Sequence, residues 1–116
     1  QAAPSQDSWS EARVRELTAA GRPVFVNFTA AWCITCKVNE QLALATPATR
    51  RRFAERDVAY LVADWTRHDP VITRQLEHYG RSGVPLYLLY SPAADAPMVL
   101  PQLLTEGIVA EAIHTL

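Results

Sequence analysis

The chain has 116 residues, 49% apolar, 20% charged and 9% aromatic, which is enough hydrophobic material for one core and too short a chain for two. Eleven basic against twelve acidic residues leave a net charge of −1, so no field gathers nucleic acid or an anionic membrane. The longest apolar run, Val84 to Tyr90, falls far below the roughly 20 residues of a membrane-spanning helix, so no membrane insertion of this domain is expected.

The chain begins at Gln1 rather than Met, which reads as processing or excision from a longer chain. Residues 1–7 are polar, contain Pro4, and read as a tail or linker stub ahead of one domain over 8–116. Ser8 with Glu11 fits a capping box, and Val14 and Leu17 beside Ala20 form one face of a first helix closed by Gly21 and Pro23. Val24 to Thr29 is β-branched, aromatic and nearly continuously apolar, the pattern of a central strand buried on both faces. From Cys33 to about Ala45, Val38, Leu42 and Ala45 recur at helical spacing, and Thr46 with Pro47 caps a further helix through Phe53. Val58 to Ala63 is a second buried strand. Asp69 and Pro70 start a helix carrying Val71, Ile72, Leu76 and Tyr79, with Gly80 at its end. Leu86 to Tyr90 and Met98 to Leu100 are strands joined by the turn-rich segment SPAADAP, and Thr105 opens a last helix with Ile108, Val109, Ala112 and Ile113 inward. The order αβαβαββα describes an α/β domain: a parallel unit, an antiparallel hairpin and a covering helix.

Chemistry concentrates where the first strand hands over to a helix. Cys33 and Cys36 are the only cysteines, too few and too close for a disulfide framework, so they form a site. At a helix N-terminus, free backbone N–H groups and the dipole favour a thiolate, lowering the first thiol from about 8.5 to roughly 3.5–7.5. Cys33 is therefore the expected nucleophile. Cys36, one turn deeper, is the expected resolving thiol that attacks a mixed disulfide and releases the product. Glu40 lies one further turn along, where its charge raises the Cys36 thiol and its carboxylate can take the proton during resolution. The competing reading of Glu40 is an exposed carboxylate paired with Lys37. A zinc site would need two more ligands, and His68, His78 and His114 have no paired spacing. Trp32, immediately before the nucleophile, is expected on the docking surface, whereas Trp65 reads as packing. Arg50, Arg51 and Arg52 with Arg56 read as a solvated helix face.

The motif Trp32-Cys33-Ile34-Thr35-Cys36-Lys37, the later Gly83-Val84-Pro85 and the element order resemble the thioredoxin fold, a central mixed sheet flanked by helices, over nearly the whole chain. Residues 28–40, 63–90 and 100–113 are similar to the C-terminal periplasmic domain of the DsbD family of thiol:disulfide interchange proteins. The resemblance implies a protein-disulfide reductase that needs no cofactor. In that family the domain takes electrons from a membrane donor and passes them to a periplasmic thiol acceptor. It also implies a periplasmic domain of a larger membrane protein, with Cys33 and Cys36 as the redox pair and Pro85 as a cis-proline facing them. A cis bond there would hold the backbone of Val84 open to an extended partner peptide.

Two positions depart from the family pattern. Asn27 stands where many relatives carry a buried acid six residues before the first cysteine, and an amide cannot accept the proton, which leaves Glu40 as the substitute base. Gln41 replaces a helix-kinking proline, so the active-site helix is expected to be straighter than that of thioredoxin. Ile34 and Thr35 supply neither charge nor imidazole beside Cys33, and Lys37 and Glu40 oppose one another, so the thiolate is expected to be moderately stabilised, as in a reductase. The alternatives are an oxidase or isomerase of the same fold, or a noncatalytic docking module with a structural disulfide.

Overall fold

The computed structural model describes residues 7–116, and residues 1–6 of the expected tail lie outside that range. The chain runs β1 (Asp7–Ser8), α1 (Glu11–Ala19), β2 (Val24–Thr29), α2 (Ile34–Asn39), a π-helical turn (Glu40–Leu44), α3 (Pro47–Glu55), β3 (Ala59–Asp64), α4 (Pro70–His78), β4 (Leu86–Tyr90), β5 (Met98–Val99) and α5 (Glu106–His114). The five strands form one mixed sheet in the order β1-β3-β2-β4-β5. β2 lies at its centre, parallel to β3 with Val24 opposite Ala59, and antiparallel to β4 with Val24 opposite Tyr90.

Because strand side chains alternate, β2 serves two cores. Val24, Val26 and Phe28 join Val14, Leu17, Leu61, Ile72, Leu76 and Leu88 under α1 and α4. Phe25 joins Phe53, Tyr87, Leu89, Val109 and Ile113 under α3 and α5. The same parity places Asn27 and Thr29 on the second face, where the active-site helix passes. Both are buried.

Several local expectations hold for stated reasons. Thr46 caps α3 by accepting from the Thr49 N–H, with Pro47 in the first turn. Asp69 caps α4 by accepting from Val71 and Ile72, and Thr105 caps α5 by accepting from Ile108. Others are corrected. The cap of α1 is Ser10, which accepts from the Arg13 N–H at 3.0 Å, while Ser8 pairs with Val62 as part of β1. Asp7 belongs to that strand too and is held by Arg13 Nη2 at 3.0 Å, so a fifth strand forms where tail and cap were expected. β3 begins at Ala59, one residue later than expected, and ends on Asp64, and β5 is two residues long with Leu100 still donating to Tyr87 O at 3.0 Å.

The active-site helix differs most. Regular α-helical bonding stops at Asn39 and widens, the Ala45 N–H donating to Glu40 O five residues back at 2.7 Å, instead of continuing as a regular helix through Gln41. Val38 and Leu42, expected inward, are 46% and 66% exposed, and Ala45 is exposed as well. The buried positions are Cys36, Asn39, Ala43 and Leu44. Asn39 anchors that face with polar bonds: its amide donates to Tyr87 Oη (2.9 Å) and Gln102 O (2.7 Å) and accepts from Leu104 N (3.1 Å). The Ala43 carbonyl is taken by the buried Thr49 hydroxyl at 2.6 Å, which ties the π turn to α3. Val71 and Ala20, expected on inner faces, are exposed.

Candidate active site

The turn after β2 delivers Cys33 as the N-cap of α2, with extended backbone (φ −91°, ψ 106°). Its Sγ accepts a hydrogen bond from the Cys36 N–H at 3.1 Å. A capping acceptor of this kind satisfies an otherwise free helix donor, and after reduction the same N–H faces a thiolate. Cys33 and Cys36 form a disulfide with Cα atoms 5.3 Å apart. Cys33 is 8% exposed and Cys36 is fully buried, so of the two residues only Cys33 reaches the surface.

The opposite wall is the segment before β4. The Val84–Pro85 peptide bond is cis, and Val84 packs against the small cluster of Ala30, Cys33 and Cys36. Arg81 Nη1 donates to Pro85 O at 3.3 Å and braces the segment from the end of α4.

Behind the disulfide, Glu40 opens the π turn and sends its carboxylate toward β2. Oε2 accepts from Thr29 Oγ1 at 2.8 Å and from Asn27 Nδ2 at 3.1 Å, and Lys37 Nζ lies 3.8 Å from Oε1. Asn27 Nδ2 also donates to Tyr60 Oη at 2.9 Å, while its Oδ1 is buried without a protein partner. Burial pushes the Tyr60 phenol up, the nearby Glu40 charge adding and the Asn27 bond opposing, so it stays neutral. Burial likewise pushes Tyr87 up to about 12, against the bond from Asn39. Asn27, Thr29, Lys37, Glu40, Arg50 and Tyr60 all line a cavity of about 390 Å³.

Glu40 lies near Lys37 as one sequence-based reading expected, but it is not the exposed carboxylate of that reading, because its hydrogen bonds run inward. The hydrogen-bonding and ionic partners of its side chain are Thr29, Asn27 and Lys37, none of them a cysteine, and its link to Cys36 runs through the backbone, the Glu40 N–H donating to Cys36 O. Thr29 and Asn27 therefore hold the carboxylate, with Lys37 beside it. Thr29 and Tyr60 were missed by sequence reasoning, although the alternation of β2 already placed Thr29 beside Asn27. Trp32 is 52% exposed and its Nε1 donates to Thr66 O at 3.1 Å. Trp65 is buried in the core under α4. Arg50, Arg51 and Arg52 are exposed on α3, and among the described residues no group of three His, Cys, Asp or Glu side chains is placed to hold a metal.

A CxxC disulfide capping a helix, with Val84 of a cis Val84–Pro85 bond packed against it and a mixed sheet behind, defines a thioredoxin-like domain equipped for thiol–disulfide exchange. The chain belongs to the thioredoxin-like family, whose model matches residues 5–92. It is 33% identical over 85 residues to thiol:disulfide interchange protein DsbD 1 of Pseudomonas aeruginosa, covering 73% of this chain and 14% of that protein. To DsbD of Escherichia coli it is 31% identical over 72 residues, 62% of this chain and 12% of the other. The chain thus spans only about an eighth of the length of these relatives. The oxidised C-terminal domain of Neisseria meningitidis DsbD superposes with a TM-score of 0.73 at 21% identity, covering 96% of this chain and 98% of that one. A thioredoxin from Thermus thermophilus gives 0.71 at 18%, covering 97% and 87%. Both structures share the fold.

Proposed function

We propose that this domain is a thiol:disulfide oxidoreductase working as a reductive relay, in the periplasm, within a larger membrane protein of the DsbD kind. The observation that carries the reading is the pairing of one cysteine that reaches the surface, its sulfur held against a helix N–H, with one buried cysteine three residues on. In the reduced domain the Cys33 thiolate attacks one sulfur of a partner disulfide, forming a mixed disulfide and expelling the partner's other sulfur as a thiolate. Cys36, as its thiolate, then attacks Cys33 Sγ. The Cys33–partner bond breaks, the Cys33–Cys36 disulfide forms, and the partner leaves as a dithiol two electrons richer. Glu40, held by Thr29 and Asn27 one turn beyond Cys36, accepts the Cys36 proton, and the cavity beside it opens a route for that proton to water. A membrane-borne dithiol donor then restores the reduced pair, and no cofactor enters the cycle.

The surface fits a protein partner. Trp32, Ile34, Val38 and Leu42 leave exposed apolar side chains at and along the active-site helix, and Val84, packed against Ala30, Cys33 and Cys36, is the residue whose backbone an extended partner peptide would pair with. Insulin reduction in the presence of dithiothreitol tests the reading: the chain should accelerate precipitation of the insulin B chain, and its Cys33→Ser variant should not. No acceleration by the unmodified chain would leave the docking-module alternative.

A further inference from the structure

The loop after β3 carries a feature that the exchange chemistry does not use. His68 sits at φ +54°, in the left-handed region that few non-glycine residues occupy, with its N–H donating to Trp65 O at 2.9 Å. That conformation sets the imidazole against two indoles. It stacks on Trp32 with ring centroids 5.7 Å apart and planes 17° from parallel, and it meets Trp65 edge-on at 4.3 Å and 63°. The indoles themselves lie 5.9 Å apart.

Each indole leads to one wall of the site. Trp32 adjoins Cys33, and the same loop holds it by the Nε1 bond to Thr66 O and by the Ala31 N–H bond to Thr66 Oγ1 at 2.8 Å. Trp65 is buried, fixed by its Nε1 bond to Thr73 Oγ1 at 2.8 Å. Its ring lies 3.6 Å from the place a Cβ would take on Gly83, next to Val84 and the cis-proline. A half-exposed tryptophan with only one hydrogen bond would keep much of its rotational freedom, and a partner would have to freeze it on binding. Trp32 already meets the rigid Trp65, and the imidazole, touching both rings, adds the contact that closes the cluster.

We infer that His68 is a positioning residue for partner recognition: exposed, and packed against both Trp32 and Trp65, its ring completes a three-ring cluster that fixes the Trp32 indole as a preorganised wall beside Cys33, favouring disulfides borne on a polypeptide over small free disulfides. The substrate half of this inference rests on the oxidoreductase reading. His68 does not touch the reacting sulfurs, so its removal should act through Trp32 and leave the redox pair's potential where it is.

The test uses His68→Asn in the 116-residue chain, because asparagine tolerates the left-handed backbone and removes only the ring. The first readout is ¹⁵N relaxation of the three indole N–H groups. The Trp32 order parameter should fall from about 0.85 to below about 0.6, while Trp9 and Trp65 keep theirs and report an intact fold. The second is the ratio of the insulin rate to the rate with 5,5′-dithiobis(2-nitrobenzoate), which should fall about two- to tenfold, the range expected for losing one aromatic pair. In a Trp32→Ala background the same substitution should leave the ratio unchanged. An unaltered Trp32 order parameter overturns the positioning role. An unaltered ratio, or an equal fall in the Trp32→Ala background, overturns the recognition role. If the unmodified chain reduces neither disulfide, the oxidoreductase reading fails and the recognition role with it, and the indole relaxation still decides whether His68 holds Trp32.

Discussion

The acidity of Cys33 follows from the geometry at the start of α2. On reduction its thiolate faces the Cys36 N–H now 3.1 Å from Sγ. A hydrogen bond to a charged group contributes about 1.5–3 kcal/mol, and the helix terminus adds about 0.3–1 kcal/mol. At about 1.36 kcal/mol per pH unit, the sum of about 1.8–4 kcal/mol lowers the thiol by about 1.3–2.9 units from an ordinary value of about 8.5. Near-complete burial of Cys33 opposes part of this, so its thiol is expected to titrate below the ordinary cysteine value, by less than that sum. Cys36, buried in an apolar cluster with Ala30 and Val84, receives no such help and should stay protonated well above neutrality. Iodoacetamide alkylation of the reduced chain, followed by mass spectrometry from pH 4 to 10, separates the two thiols. A Cys33 midpoint at or above about 8.5 would refute the capping argument, because the N–H would then stabilise nothing.

Further outcomes follow from the same geometry. Cys33→Ser should abolish exchange, whereas Cys36→Ser should accumulate a mixed disulfide visible on nonreducing gels; equal trapping by both would reverse the assignment. Glu40→Gln should slow resolution by about 10²-fold or more in stopped-flow traces while first attack changes little, and Thr29→Val, which removes the 2.8 Å bond to the carboxylate, should slow it by a smaller factor; rates unchanged in both steps would leave Glu40 a structural residue. Tyr87, raised to about 12 by burial, binds its proton more tightly folded than unfolded, so its contribution to stability is complete below about pH 10 and is lost as pH rises through 12. Urea midpoints should therefore fall as pH rises from 10 to 12, with buried Tyr60 and Tyr90 contributing in the same direction, and Tyr87→Phe should lessen that fall; an unchanged slope would contradict the assignment.

The parts of this molecule legible in its sequence are those set by near neighbours. The β-branched run of β2, the caps at Thr46, Asp69 and Thr105, and a CxxC pair opening a helix each declare themselves within a few residues. What was not legible depends on distant partners. β1 exists because Asp7 and Ser8 find the free edge of β3 more than fifty residues on. The inward turn of Glu40 depends on Thr29 and Asn27 across the sheet, and the burial of Asn39 depends on Tyr87 and the segment around Gln102. The π turn shifts the buried face of the active-site helix, so the apolar spacing of Val38 and Leu42, read as core, marks exposed surface instead. His68 gave no signal as a surface histidine; only its left-handed backbone and the two indoles around it reveal the arrangement.

The direction of electron flow is decided most directly by the reduction potential of the Cys33–Cys36 pair. One capping N–H and partly cancelling charges at Lys37 and Glu40 stabilise the reduced thiolate only moderately. Equilibration with dithiothreitol or glutathione at pH 7, read by thiol alkylation, should give a potential near thioredoxin's, about −270 mV, and far from the roughly −120 mV of a dedicated oxidase. A value above about −180 mV, the region of protein disulfide isomerase, would contradict the reductive relay and favour an oxidase or isomerase.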